Sequence, residues 1–170
     1  MKFTSLLSAL TILAATNEGM AVVYRGYSNT VQCSGSNFFC NDGGAVCCGP
    51  FPAGFGYSAQ FESLPNGSQG QGYTDACRAF LFAVFGSGTK CWNGGGARAN
   101  YLNWFHSAGR VAARDGESKE CVAPSGFTYE DGQGAKHSIK IPAGAANATE
   151  AIAKYYQSKN WKALAAYESA

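Results

Sequence analysis

The sequence predicts a mainly β (α+β) protein: a disulfide-stapled, antiparallel, Greek-key-like β core followed by a C-terminal helical segment. Three observations carry that expectation. Four of the seven cysteines fall within residues 33–48, among glycines and polar turn formers. Such density is the staple of a small extracellular fold whose core is supplemented covalently. Short apolar or alternating runs recur between turn signals, the pattern of strands joined by tight turns. Only after Pro142 does the spacing become helical, with Ile152, Tyr155 and Tyr156, then Trp161, Leu164 and Ala165.

Val22, Val23, Tyr24, Arg25, Gly26 and Tyr27 read as a first strand with a glycine break, and Ser28-Asn29 as its turn. Within the cysteine cluster, short strands at Phe38-Phe39 and Ala45-Val46 fit around an Asn41-Asp42-Gly43-Gly44 hairpin turn. Tyr57 to Phe61 alternates large and small side chains like a half-buried strand, and Leu64 to Ser68 is a turn. Ala79-Phe80-Leu81-Phe82-Ala83-Val84-Phe85, the most apolar run after the N-terminus, suits a buried strand. Thr89-Lys90-Cys91-Trp92 is expected to return beside it as a hairpin. Residues 97–106 read as either helical or extended, and the charged stretch 109–120 as an exposed connection. Phe127-Thr128-Tyr129 and Ser138-Ile139-Lys140-Ile141 form a last hairpin around Asp131-Gly132. Asn147 and Glu150 have capping-box spacing, with Asn147 as N-cap of one helix, or of the first of two broken near residues 158–160.

At 170 residues, 46% hydrophobic, the chain supports one domain with a real core. A formal net charge of +2 with no Lys/Arg run gives no nucleic-acid footprint. Lys2 followed by the apolar run 6–15 looks like a secretory signal peptide, removed after Ala21 or, alternatively, after Ala15. The run is too short to span a bilayer core of about 30 Å. The expected organisation is therefore a signal peptide over 1–21, a disulfide-linked β domain over 22–123, and a hairpin plus helix over 124–170 packed on the same domain.

Secretion makes the cysteines disulfide candidates and argues against a metal centre. Cys33, Cys40, Cys47, Cys48, Cys77 and Cys91 are assigned to bridges, with pairings open. Cys47 and Cys48 are adjacent and so should reach two different places. Seven is odd, and Cys121, outside the cluster, is the candidate for the leftover thiol or for an intermolecular bridge in a disulfide-linked dimer. Asn66 and Asn147 each begin an N-glycosylation sequon.

The run Gly56-Tyr57-Ser58-Ala59-Gln60-Phe61-Glu62-Ser63-Leu64-Pro65, then Gly72-Tyr73-Thr74-Asp75-Ala76-Cys77, is similar to the later strands of a βγ-crystallin-like Greek-key unit. Over residues 22–106 the chain resembles the small secreted cysteine-rich proteins of filamentous fungi. That resemblance implies extracellular, disulfide-linked β structure, with roles from structural to toxin or host interaction. The βγ-crystallin calcium signature is missing at Asn41-Asp42-Gly43-Gly44-Ala45-Val46, so no calcium site and no other cofactor is carried over. Knottin and hevein-like spacings fail at the 28-residue gap after Cys48, and hydrophobins need a second cysteine pair.

No catalytic residue is assigned. His106 and His137, with Glu130, Asp131 or Arg98, offer acid, base and charge-stabilising groups for a small hydrolase of ribonuclease or glycosidase type, yet no nucleophile or metal motif accompanies them. Glu62 and Asp75 would need glycosidase spacing to act as a pair. Trp92, Tyr101 and Trp104 are candidates for a ligand-stacking platform, although such aromatics more often pack inward. The sequence therefore points to a secreted, non-enzymatic protein acting by binding or surface interaction, of effector, toxin, defence or wall-associated type. A hydrolase and a carbohydrate-binding module are the alternatives. The partners considered are a cell-wall glycan and a host or other extracellular protein.

Overall fold

Alternation of apolar and polar side chains along the first strands builds a six-stranded sheet with one dry face. The computed structural model describes residues 21–29, 32–42, 46–105 and 121–168. Strands β1 (Val22–Tyr27), β2 (Asn37–Asp42), β3 (Ser58–Leu64), β4 (Gln69–Asp75) and β5 (Ala79–Phe85) come first. They are followed by β6 (Gly88–Asn93), β7 (Tyr101–Phe105), β8 (Gly126–Glu130) and β9 (Lys136–Lys140), then helices α1 (Ala146–Gln157) and α2 (Trp161–Glu168). The larger sheet runs β6-β3-β1-β2-β8-β9 and the smaller β5-β4-β7. All pairings of these strands are antiparallel. The protein is thus mainly β with a C-terminal helical segment, as the sequence predicts.

Register places Tyr24 opposite Cys40 and Phe61, Gly26 opposite Phe38 and Ala59, and Phe127 opposite Phe38 and Ile139. Cross-strand partners share a face, so these side chains make one buried apolar layer. Arg25, Asn37, Gln60, Glu62 and Thr128 alternate onto the opposite, polar face.

Two covers close over the apolar layer. The smaller sheet lies over the β3–β6 end, where two glycines of β4 leave room for aromatic rings. A Cβ at Gly70 would stand 2.5 Å from Phe61, and one at Gly72 would stand 1.9 Å from Phe82. Phe61 and Phe82 meet edge to face with centroids 6.4 Å apart, and Phe82 stacks on Trp92 at 3.9 Å. Over β8 and β9 the helices supply the cover. Tyr156 meets Phe127 edge-on, Trp161 lies parallel to Tyr129, and Ile152 and Leu164 are fully buried. Phe55 fills the middle, edge-on to both Phe38 and Phe127. Each such aromatic or aliphatic side chain contributes about 1.5–3 kcal/mol on burial.

Three disulfides pin these layers. Cys33–Cys91 joins the turn before β2 to β6, Cys40–Cys48 joins β2 to the segment after it, and Cys47–Cys77 carries that segment to the β4–β5 turn. Adjacent Cys47 and Cys48 do reach two different places. Cys121 lies outside the three bridges.

The structure corrects four local expectations. β2 runs on through Asp42 and pairs with β1 and β8, while Val46 is in no strand; residues 43–45 lie outside the described residues. β6 pairs with β3 and not with β5. Gly86 and Gly88, both at positive φ (92° and 78°), turn the chain out of the smaller sheet and into the larger one. β5 is a strand but not a buried one: Phe82 is enclosed, whereas Phe80 and Phe85 are 47% and 57% exposed. Leu81 and Val84 pack partly on the core and Phe80 meets Tyr73 edge-on at 6.1 Å, yet much of both Phe80 and Phe85 stays open. Finally, α1 starts at Ala146, with Ala145 at the cap position and no side-chain cap bond. The Pro142 turn, closed by Ala145 N–H on Pro142 O, starts the helix before Asn147. The charged connection at 109–120 and residues 1–20 lie outside the described residues.

Two substitutions test this account by urea unfolding. Gly72→Val is expected to destabilise by about 1–3 kcal/mol, the range for overpacking a filled core. Replacing both Cys33 and Cys91 with serine opens a 58-residue loop, with an expected loss of about 4 kcal/mol in the chain-entropy account.

Candidate functional site

Among the described residues the one histidine, His137, is engaged on both ring nitrogens. His137 sits on β9, opposite Tyr129 of β8. Its Nδ1 faces the Glu168 carboxylate at 3.1 Å and its Nε2 faces Asp131 Oδ2 at 3.2 Å. The ring lies against Tyr129, centroids 4.9 Å apart, and the Tyr129 hydroxyl donates to Glu168 Oε1 at 2.5 Å. Hydrogen bonds from the ring to Asp131 and then to Glu168 hold the imidazole above its ordinary pKa. Asp131 is held below its own by the Gln133 and Ala135 backbone N–H groups first, and by His137 after them. Burial, then Glu168, raises the Tyr129 phenol. A general base needs one open ring nitrogen, and here a carboxylate faces each of the two. The two carboxylates also approach from opposite sides, so the donors do not converge on a cation, and no metal-holding group occurs among the described residues. The cluster is a clamp that fastens the end of α2 to the β8–β9 hairpin. His106 lies outside the described residues.

The other charged candidates are likewise engaged. Arg98 donates from Nε to Phe55 O at 2.7 Å, and from Nη2 to Phe51 O and Pro52 O at 2.6 Å each. It organises the loop that delivers Phe55 to the core. Glu62, on the larger sheet, takes a two-point contact from Arg25 at 2.8 and 3.2 Å, while Asp75 ends β4 in the smaller sheet. The two thus belong to different sheets. Arg25 also donates to Asn37 Oδ1 and covers the Phe39 ring at 5.0 Å. Arg25, Asn37 and Glu62 line a polar groove of about 390 Å³ on the outer face of the larger sheet, with Thr128, Glu130 and Lys136.

The aromatic candidates are not brought together. Trp92 belongs to β6 and is stacked on Phe82. Tyr101 and Trp104 belong to β7, three residues apart and so on opposite faces. Trp104 is 9% exposed and packs in the core.

What the described surface does present is apolar. β5 contains no charged or polar side chain. It pairs with β4 on one side, and its other edge has no strand partner among the described residues. Phe80 and Phe85 stand out from it, and an apolar edge of this kind is a template for strand addition. Its apolar composition is readable in the sequence, but its exposure is not. Of the two sequons, Asn66 lies in the exposed β3–β4 turn and Asn147 on the exposed side of the first turn of α1.

Fold and site together define a disulfide-stapled antiparallel β protein with no assembled catalytic centre among the described residues. The chain belongs to the ARB_05566_N family, described as an N-terminal domain, whose pattern matches residues 24–125. That span runs from β1 to the residue before β8, leaving the last hairpin and both helices beyond the match. No match was found among curated proteins or solved structures.

The clamp has a definite pH signature. His137, raised in the fold, contributes fully below about pH 6.5 and loses its contribution as pH rises through its folded value. Asp131, lowered, contributes fully above about pH 4 and loses its contribution as pH falls through its folded value. The melting temperature difference between the wild type and His137→Gln is therefore expected to peak between about pH 4 and 6.5 and to narrow on both sides. A difference independent of pH would reject the clamp.

Proposed function

We propose that this is a secreted, non-enzymatic, cysteine-rich protein that acts by binding, with the β5 edge as its contact surface and an extended segment of an extracellular protein as its partner. The observation that carries this reading is an uncharged, partly exposed edge strand flanked by Phe80 and Phe85. An extended peptide would add to β5 through main-chain hydrogen bonds and bury apolar side chains against the two rings.

Secretion is supported by three lines. Three disulfides require an oxidising compartment to form and persist. The N-terminal run after Lys2 has signal-peptide character, and the first strand begins one residue past Ala21. Asn66 and Asn147 are both exposed, as glycan acceptors must be. The resemblance to small secreted fungal proteins, in effector, defence or wall-associated roles, points the same way.

The test is an array of extended decapeptides with alternating apolar residues, probed with the oxidised protein. Binding is expected to fall at least tenfold for the Phe80→Ser, Phe85→Ser double variant, and to vanish when alternate peptide amides are N-methylated. Retention on chitin or β-glucan that the double variant leaves unchanged would instead favour a glycan partner. A concentration-dependent dimer dissolved by the same variant would make a second copy the occupant. Hydrolysis of RNA or glycan abolished by His137→Ala would overturn the non-enzymatic reading.

A further inference from the structure

Three sulfurs from distant parts of the chain meet beside the β4–β5 turn. Cys47 is bridged to Cys77, and the Cys121 sulfur lies directly against Cys47 Sγ. The contact is built in by the backbone on both sides. Val122 N–H donates to Cys47 O and Gly49 N–H donates to Val122 O, both at 2.8 Å, so residues 121–122 run alongside residues 47–49. A thiol held against one sulfur of a disulfide, with its strand bonded to that cysteine's neighbours, has the components of an exchange reaction.

We propose that Cys47, Cys77 and Cys121 form an intramolecular thiol–disulfide exchange site that moves the reactive thiol from Cys121 to Cys77. Cys121 loses its proton, and the thiolate attacks Cys47 Sγ. The Cys121 to Cys47 bond forms as the Cys47–Cys77 bond breaks, and Cys77 leaves as a thiolate that takes up a proton. One disulfide and one thiol are present before and after, so neither oxidant nor reductant is required. Cys40–Cys48 and Cys33–Cys91 are untouched.

The surroundings suit both ends of the transfer. Cys77 sits in the turn that leads directly into β5, and both it and Ala76 have positive φ (54° and 21°). Side-chain-bearing residues adopt such backbone only when the surroundings impose it, and the tether to Cys47 is one such restraint. Transfer would release that turn and deliver a thiol, half-buried at present, to the root of the apolar edge strand. Burial raises the Cys121 thiol, opposed by Arg78 and reinforced by Asp75. Exchange should therefore be slow at neutral pH and accelerate in alkali, since the thiolate is the attacking species. The inference stands independently of the reading of β5 as a docking edge.

The test uses the full oxidised protein without added thiol, incubated at pH 7 to 9, then labelled with N-ethylmaleimide after acid quench and mapped by peptide mass spectrometry. Label is expected first on Cys121 and then increasingly on Cys77, while the peptide bearing Cys121 becomes linked to the one bearing Cys47. The rate should rise roughly tenfold per pH unit below the thiol pKa, and should not depend on protein concentration. Cys121→Ser should leave Cys77 unlabelled at every pH, and Cys77→Ser, folded in air with oxygen as the oxidant, should contain the Cys47 to Cys121 bridge. Wild-type label confined to Cys121 at all pH values and times would overturn the proposal. So would labelling of Cys77 in Cys121→Ser.

Discussion

Two adjacent sulfurs that point apart are the constraint on which the rest of this structure depends. Cys48 is bonded to Cys40 in β2 and Cys47 to Cys77 in the β4–β5 turn, so one peptide unit joins both sheets. Its backbone is used as fully as its side chains. Cys48 exchanges hydrogen bonds with Leu102 of β7 at 2.8 and 2.9 Å, and the flanking residues bond to Val122. Gly49 makes this possible: it takes φ 145°, and a Cβ there would stand 2.5 Å from the Tyr101 ring and 2.7 Å from Asn100 O. In the chain-entropy account the 8- and 30-residue loops contribute about 2.5 and 3.5 kcal/mol. That is a large share of the about 5–15 kcal/mol by which domains are usually stable.

Around this hub, polar chemistry is spent on holding the fold. Arg98 secures the carbonyls of the loop that carries Phe55, Arg25 and Glu62 neutralise each other across β1 and β3, and His137 clamps α2. Each is the residue type an enzyme would use, and each has its donors or acceptors engaged by the protein itself. The charge content is low, 14%, and several of the described charged side chains are used to tie one element to another. The β5 edge differs from these sites in exposing apolar side chains, Phe80 and Phe85.

Alternation along the chain was enough to locate most strands, because side-chain period is a local property. Partner choice was not legible, because it is decided by what lies across the sheet. The Thr89 to Trp92 segment looked like the return limb of a hairpin with β5, yet Trp92 packs under Phe82 from the larger sheet, which requires β6 to pair with β3. The Gln69-Gly70-Gln71-Gly72 run held an unread signal: glycine at alternate positions leaves one face of a strand without side chains, open to rings from elsewhere. The His137 clamp could not be seen at all, since Glu168 lies 31 residues away and meets it only once α2 docks. The two divergent bridges of Cys47 and Cys48 are legible in the sequence, because adjacent cysteines would be strained in pairing together.

The placement of the bridges bears on why an exposed apolar edge is tolerable. Edge strands invite uncontrolled pairing, and β5 has neither the charges nor the proline that usually blunt one. Here the β5–β6 unit is anchored on both sides: Cys77 ties the turn before β5 to the hub, and Cys91 ties β6 to the turn before β2. Phe82 and Trp92, stacked at 6° from parallel, lock the inner face between those anchors. An edge held so firmly resists the local opening that leads to aggregation. It is also already ordered for a partner strand, so association need not supply the cost of ordering it. The same covalent restraint that supplements the core thus presents Phe80 and Phe85 in a fixed geometry, and a change in the Cys47–Cys77 bridge would alter the stiffness of that surface before it altered the fold.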